Sequence, residues 1–293
     1  MINTATGSES DVTMNQAEAT AKETLVEFDN VVKEFTKTGS VFRAIDGLSI
    51  SIQRGERVAI VGETGSGKST ALALLLGLQR PTSGNVRVLG IDPFAEFGAL
   101  SGRLGIIFQS DRLLPWRTAL QNAAYGLQVL KKPRPEREEI ARQWLDRLGL
   151  AAFVDAYPHE LSGGMKQRVA IARTMAISPQ VLVADEAFSA LDEMTASSVR
   201  ADLLAVLANV ETTTIFVTHS VAESVELADR VLVFARPGLI VDEVRVTDMR
   251  SRGIPASEIQ ERVRHGLRTS QPTAAFPAAT PSDLEEPLRE PAS

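Results

Sequence analysis

At 293 residues, 44% of them hydrophobic, the chain can bury one large core or two small ones, and it contains no apolar run approaching the roughly 20 residues that span a bilayer. A formal charge of −6 argues against a surface built to coat nucleic acid, because affinity for a phosphate backbone is carried by clustered Lys and Arg. The lack of cysteine excludes disulfides and thiolate chemistry, and the three histidines, His159, His219 and His265, show no metal-ligand spacing, so no structural metal is expected.

Residues 1–23 are polar and lack the basic start and apolar stretch of a signal peptide, so they are expected to be disordered and to stay inside the cell. Leu25-Val26-Glu27-Phe28 and Leu48-Ser49-Ile50-Ser51-Ile52 read as half-buried antiparallel strands. Arg57-Val58-Ala59-Ile60-Val61 suits a strand buried on both faces, and residues 68–78 read as a helix. Between them stands Gly62-Glu63-Thr64-Gly65-Ser66-Gly67-Lys68-Ser69, the phosphate-loop pattern in the order strand, loop, helix that its chemistry requires. The glycines let backbone N–H groups converge on anionic oxygens, and the helix N-terminus, with Thr70 in its first turn, adds its positive end. Lys68 then reaches the β/γ-phosphates and Ser69 holds Mg²⁺.

From 111 to 177 the pattern turns helical, with 118–130, 136–148 and 164–177 as the main segments and prolines at the joins, which reads as an insertion in an α/β protein. Three apolar strands follow, at 181–184, 213–217 and 231–234; alternating with helices, they imply a largely parallel sheet covered on both faces. The first runs into Asp185-Glu186. Carboxylates at the carboxyl end of a parallel strand face the ligand crevice, where Asp185 orders Mg²⁺ through water and Glu186 orients or deprotonates the attacking water. The bland competitor is an acidic strand end that caps the next turn. After Gly238 come a short hairpin-like stretch and an amphipathic helix near 256–267, and 269–293 is Pro/Ala/Ser/Glu-rich and expected to be unstructured.

The whole ordered set resembles the ABC-transporter ATPase cassette over approximately residues 25–240. In that resemblance 62–69 is the Walker A loop, Gln109 the Q-loop glutamine that also reaches the metal, and Leu161-Ser162-Gly163-Gly164-Met165-Lys166-Gln167-Arg168 the signature motif. Asp185 and Glu186 are similar to the Walker B aspartate and its catalytic neighbour, Ser189-Ala190-Leu191-Asp192 to the D-loop, His219 to the switch histidine, and Phe35 to the aromatic that stacks on adenine. The resemblance implies a P-loop NTPase (RecA-like) core with a mostly parallel sheet, an N-terminal antiparallel β-subdomain and an inserted α-helical subdomain. It places the ATPase domain at 24–245, the helical subdomain at about 111–177 and a helical extension at 246–268. It further implies ATP and Mg²⁺ as cofactors, and a homodimer in which the anion site of Ser162, Gly163 and Gly164 closes on the γ-phosphate held by the other protomer. Taken alone, Ser162 is also an ordinary N-cap, His219 a core histidine, Gln109 a surface residue and Phe35 a core aromatic.

Two positions depart from the family pattern: Ala187 stands where proline is usual and Ser220 where aspartate is usual. Neither bears the transferred phosphoryl group, so hydrolysis is still expected. Leu113-Leu114-Pro115-Trp116, Tyr157-Pro158-His159-Glu160 and the stretches 228–233 and Arg236-Pro237-Gly238 look similar to the ATPases of nitrate, sulfonate and taurine importers. Leu113 to Trp116 falls where such cassettes meet their permease, and reads equally as core packing. The tail after Gly238 is too short for the regulatory β-domain of maltose- or polyamine-type cassettes. The expectation is therefore a peripheral ATPase on the cytoplasmic face of the bacterial plasma membrane, working with permease subunits and an extracytoplasmic substrate-binding protein, without nucleic acid. The alternatives are a soluble ABC ATPase acting on nucleic acid or ribosomes, whose coiled-coil heptads or fused second cassette do not occur here, and a phosphate-loop kinase, which has no use for Leu-Ser-Gly-Gly.

Overall fold

The computed structural model describes residues 23–37 and 40–269. The tails expected at 1–23 and 269–293 lie outside this range except for Glu23, which pairs with Arg54, and Thr269, which ends a helix rather than starting a tail.

The chain opens with a hairpin of two long strands, β1 (Thr24–Lys37) and β2 (Ser40–Gln53). Next come β3 (Arg57–Gly62), α1 (Lys68–Leu75), β4 (Ser83–Val88) and β5 (Leu104–Ile107). The helical insertion contains α2 (Ala119–Ala123), α3 (Tyr125–Val129), α4 (Arg134–Arg147) and α5 (Gly163–Met175). The rest alternates: β6 (Val181–Asp185), α6 (Glu193–Leu207), β7 (Thr213–Thr218), α7 (Val221–Leu227), β8 (Arg230–Ala235), β9 (Leu239–Arg245), α8 (Val246–Ser251) and α9 (Ala256–Thr269). Strands β2-β1-β4 form an antiparallel sheet. A six-stranded sheet in the order β5-β6-β7-β3-β8-β9 is parallel except for β9, which turns back along β8.

Period-two alternation on strands buried on both sides explains how one sheet serves two cores. Leu182 and Ala184 of β6, Ala59 and Val61 of β3, and Val231 and Val233 of β8 pack with the helical insertion and α6. Their neighbours Val181, Val183, Val58, Ile60 and Leu232 pack with α1 and the antiparallel sheet. Each Val, Leu or Ile among them removed from water contributes about 1.5–3 kcal/mol, so the sheet is the rigid plate against which the loops at its carboxyl edge are fixed.

Several boundaries differ from expectation. The helix read over 68–78 ends at Leu75 because Gly77 adopts φ +67°, where a Cβ would lie 2.0 Å from the Pro93 carbonyl oxygen. The helix read over 118–130 is split into α2 and α3 at Ala124. The short strands read near 25–28 and 48–52 belong to two fourteen-residue strands whose pairing register shifts at bulges around Asn30 and Val31.

Candidate functional site

The phosphate loop leaves the carboxyl end of β3 and opens α1. Gly65 (φ +77°) and Gly67 (φ +100°) hold backbone that side-chain-bearing residues avoid, and a Cβ at Gly67 would lie 2.8 Å from both the Ala44 carbonyl oxygen and the Gly238 Cα. Gly62, Ser66 and Lys68 are buried, whereas Glu63, Thr64 and Ser69 are exposed. Thr70 is buried in the first turn of α1, behind Ser69. Lys68 Nζ donates to the carbonyls of Gly62 (2.7 Å) and Glu63 (3.0 Å), so it arches over the loop. Burial pulls the Lys68 ammonium below its ordinary range, opposed by the nearby charges of Glu186, Asp185 and Glu63. No side chain caps α1 and no acid stands in its first turn, which leaves the positive end of the helix to an anion.

Facing the loop are the ends of β6 and β7, the nearer of which is hydrogen-bonded to β3. Asp185 closes β6, and its carboxyl is pushed upward by burial and then by the charge of Glu186, against the pull of Lys68 and Arg112. Glu186 sits at φ +45°, a conformation costing a non-glycine residue about 1–3 kcal/mol, and is held there by its N–H donating to the Val217 carbonyl (2.8 Å). His219 leaves the end of β7 with its Nδ1 3.5 Å from Glu186 Oε1 and its side chain 63% exposed. Gln109 follows β5, and its Nε2 donates to Ser189 Oγ (3.1 Å), which in turn donates to the Glu186 carbonyl (3.0 Å). Lys68, Asp185, Glu186, His219 and Gln109 therefore form one linked cluster.

The signature residues lie apart from it. Ser162 N-caps α5, its Oγ accepting from Met165 N–H (3.3 Å), with Ser162 and Gly163 exposed. Gly164 is buried where a Cβ would lie 2.5 Å from Thr195 Cγ2, so α5 packs directly on the start of α6, itself capped by Asp192. Phe35 stands opposite Phe42 across the β1–β2 hairpin with Lys33 Nζ 4.8 Å above its ring. A cavity of about 300 Å³ beside Gly65 is lined by Val41, Phe42, Ala44 and Arg236, and Phe35 is not among its lining residues.

The departures from the family pattern are accommodated. Ser220 caps α7 by accepting from Glu223 N–H (3.2 Å), a task aspartate performs equally. Ala187 is buried, and its carbonyl accepts from Gln167 Nε2 (2.7 Å). Sequence reasoning assigned no role to that buried glutamine, which ties α5 to the segment following β6. It also missed Arg173, whose guanidinium donates to the Arg112 (2.7 Å) and Asp111 (2.8 Å) carbonyls and so braces the chain beyond Gln109. Leu113-Leu114-Pro115-Trp116 divides between its two readings: Leu113 is core, and Trp116 is 70% exposed.

The residues fit ATP with Mg²⁺. The loop is a cradle that side chains would fill, α1 offers uncapped N–H groups, and buried Ser66 Oγ lacks a partner within the protein. Among the described residues no three His, Asp or Glu side chains form a metal cage, and Mg²⁺ in such a site would rest on one or two side chains plus substrate phosphates. Among the same residues no helix is long and apolar enough to cross a membrane.

Comparison with known proteins agrees with this geometry. Residues 45–189 match the family model described as ABC transporter. The chain is 40% identical over 234 residues to an uncharacterized ABC transporter ATP-binding protein of Methanocaldococcus jannaschii, covering 80% of this chain and 86% of that one. It is 44% identical over 211 residues to the nitrate import ATP-binding protein NrtD of a Synechocystis strain, covering 72% and 77%. Relatives named for methionine import and for sulfate/thiosulfate import match as well. Among solved structures, an ATP-binding cassette described as dimeric, in a post-hydrolysis state and bound to ADP and phosphate, superposes with a TM-score of 0.65 at 30% identity, covering 75% of this chain and 98% of that one. A phosphate loop facing an acidic strand end, shared with relatives of this closeness, makes the chain a member of the ABC transporter family, one of its ATP-binding, ATP-hydrolysing subunits.

Proposed function

We propose that the chain powers an importer, two copies enclosing two MgATP molecules between them at the cytoplasmic face of the plasma membrane. The observation that carries this reading is a split: Lys68, Asp185, Glu186 and His219 meet at the carboxyl ends of the neighbouring strands β3, β6 and β7, while Ser162 and Gly163 stand exposed on another subdomain. In this reading one half of a phosphate site is complete within the chain, and the other half faces outward.

In this reading the 62–69 N–H groups and Lys68 hold the β/γ-phosphates, and Ser69, Asp185 and Gln109 hold Mg²⁺, which neutralises charge on the transferred phosphoryl group. Glu186 accepts hydrogen bonds from the attacking water and takes its proton. His219, beside it, orients that water and the γ-phosphate. Ser162, Gly163 and Gly164 of the second copy close over the same phosphate, so hydrolysis waits on dimerisation. The cavity beside Gly65 takes the adenine, with Phe42 as one wall, and Phe35 is the cross-strand neighbour of Phe42.

An open groove of about 380 Å³ lined by Gly102, Ile106, Phe108, Tyr125, Val129 and Ile177 receives the permease, its floor being the segment that leads from β5 into Gln109. The transported molecule is a small oxyanion-bearing nutrient such as a sulfonate, taurine or nitrate, delivered by an extracytoplasmic binding protein; the support is the resemblance at 113–116 and 228–238 and the nitrate-import relative. The test is to purify Glu186→Gln with MgATP from detergent-solubilised membranes of the native host and to identify its companions by mass spectrometry. A multi-spanning permease is expected, and its binding protein names the substrate class; recovery of ribosomal or DNA-repair proteins instead overturns the transport reading.

A further inference from the structure

One basic patch is absorbed by none of these roles. Residues 116–138 contain five basic and two acidic side chains in a chain whose net charge is −6. Within this stretch a cavity of about 370 Å³ is lined by Trp116, Arg117, Gln128, Arg134, Arg137 and Glu138. Trp116, 70% exposed, stands at its edge. Arg134 and Arg137 occupy the first two turns of α4, on either side of Glu136, the acidic residue of its first turn. Glu136 already offsets the positive end of the helix, so the case for an outside anion rests on the guanidinium groups of Arg117, Arg134 and Arg137, which line one cavity with a single carboxylate, Glu138. The local ion pairs Arg134–Glu138 and Lys132–Glu136 are solvent-exposed, and such pairs break at little cost. Arg117 donates to Gln128 Oε1 (2.7 Å) and lies 4.9 Å above the Tyr125 ring, so the cavity adjoins the groove assigned to the permease.

From this geometry we infer that the Trp116 cavity is a docking site for the anionic phospholipid headgroups of the bilayer surrounding the permease. Guanidinium forks bind phosphate in bidentate fashion, and an indole with one apolar face and one N–H suits the membrane–water boundary. Each Arg near an anionic surface is worth about 1 kcal/mol, roughly fivefold in affinity, so two or three give reversible contact rather than anchorage. The inference rests on the transporter reading only for bringing the chain to a membrane.

The test needs no permease. The chain holds two tryptophans, Trp116 and the buried Trp144, so emission that moves on binding reports Trp116. The full chain is mixed with vesicles of phosphatidylcholine alone or of phosphatidylcholine with an equal part of phosphatidylglycerol, and flotation and emission are recorded. Binding to the anionic vesicles only, with a blue shift absent from Trp116→Phe, is expected. Arg134→Glu with Arg137→Glu should weaken that binding at least about tenfold while nucleotide binding is unchanged. Equal binding to both vesicles, no blue shift, or full binding by the double variant overturns the inference. Each of those results leaves the Glu186→Gln capture of a permease untouched, and failure of that capture leaves the vesicle result standing.

Discussion

The N-termini of α1 and α5 both carry glycines and no acidic residue in the first turn, yet they are built for different situations. The N-terminus of α1 lies in a cradle closed by Ala44, Ile45 and Gly238, with Lys68 folded across it and no capping side chain. That of α5 is exposed and already capped by Ser162. A helix end can be a complete anion site or a surface that contributes one N–H and one hydroxyl to a site completed elsewhere. The difference lies in the side chains around the helix ends.

If α1 is the complete site, Lys68→Ala should have the largest effect: it removes a phosphate contact made in both ground and transition states, lowering ATP affinity and turnover together. Titration with a fluorescent ATP analogue reads the first, and unchanged affinity would sink the assignment. Glu186→Gln comes next. Losing a general base costs about 10²–10⁴ in turnover while leaving the loop intact, so affinity should hold and a stable dimer should form with MgATP, seen by size exclusion. Wild-type turnover removes Glu186 from the chemistry. Ser162→Ala tests the half-site: the isolated chain should bind ATP normally, while turnover at concentrations that permit dimers falls about tenfold, the worth of one charge-assisted hydrogen bond plus a weakened cap. Equal loss at every protein concentration would mean that Ser162 serves only α5.

The α1 region was legible in the sequence and the α5 region only through its resemblance, for a physical reason. A phosphate loop is local: eight consecutive residues carry the turn, the N–H groups and the cation, and a buried strand precedes them. Asp185 and Glu186 were legible because the apolar run of β6 ends at them. The links that join these parts are long-range and chemically ordinary: Gln167 to Ala187, Arg173 to the Asp111 and Arg112 carbonyls, and Arg200, buried with Glu193, Glu223 and Glu226 around it. Gln167 lies inside the signature motif, but nothing there points to its tie with Ala187, and nothing in the neighbours of Arg173 and Arg200 marks them. Strand β4 was missed because Ser83-Gly84-Asn85 has the composition of a turn, and only Val86 and Val88 turn inward. The full length of β1 and β2 was hidden by the bulges near Asn30 and Val31, which break the alternation on which strand reading depends.

The smallest expected effect tests whether the Asp185 end is tuned from outside the loop. Burial and the Glu186 charge raise the Asp185 carboxyl above the ordinary carboxylate range, and Lys68 and Arg112 oppose this. A carboxyl raised in the folded state binds its proton more tightly there than in the unfolded chain, so falling pH through that raised value should add stability to the nucleotide-free protein. Over the same window the ion-binding carboxylate disappears, and kcat/KM should fall. Stability and activity therefore move in opposite directions on the acid side, the reverse of what a salt-bridged aspartate produces. Arg112 lies over the Phe108 ring at 4.0 Å, and its carbonyl, not its guanidinium, is what Arg173 holds. Arg112→Gln thus removes the cation while leaving that backbone tie, and the acid limb of kcat/KM should move to higher pH with the neutral-pH rate little changed. A limb that stays in place, or moves down, would show that the charge of Arg112 does not reach Asp185 and that the phosphate-loop region tunes its carboxylate without help from the helical insertion.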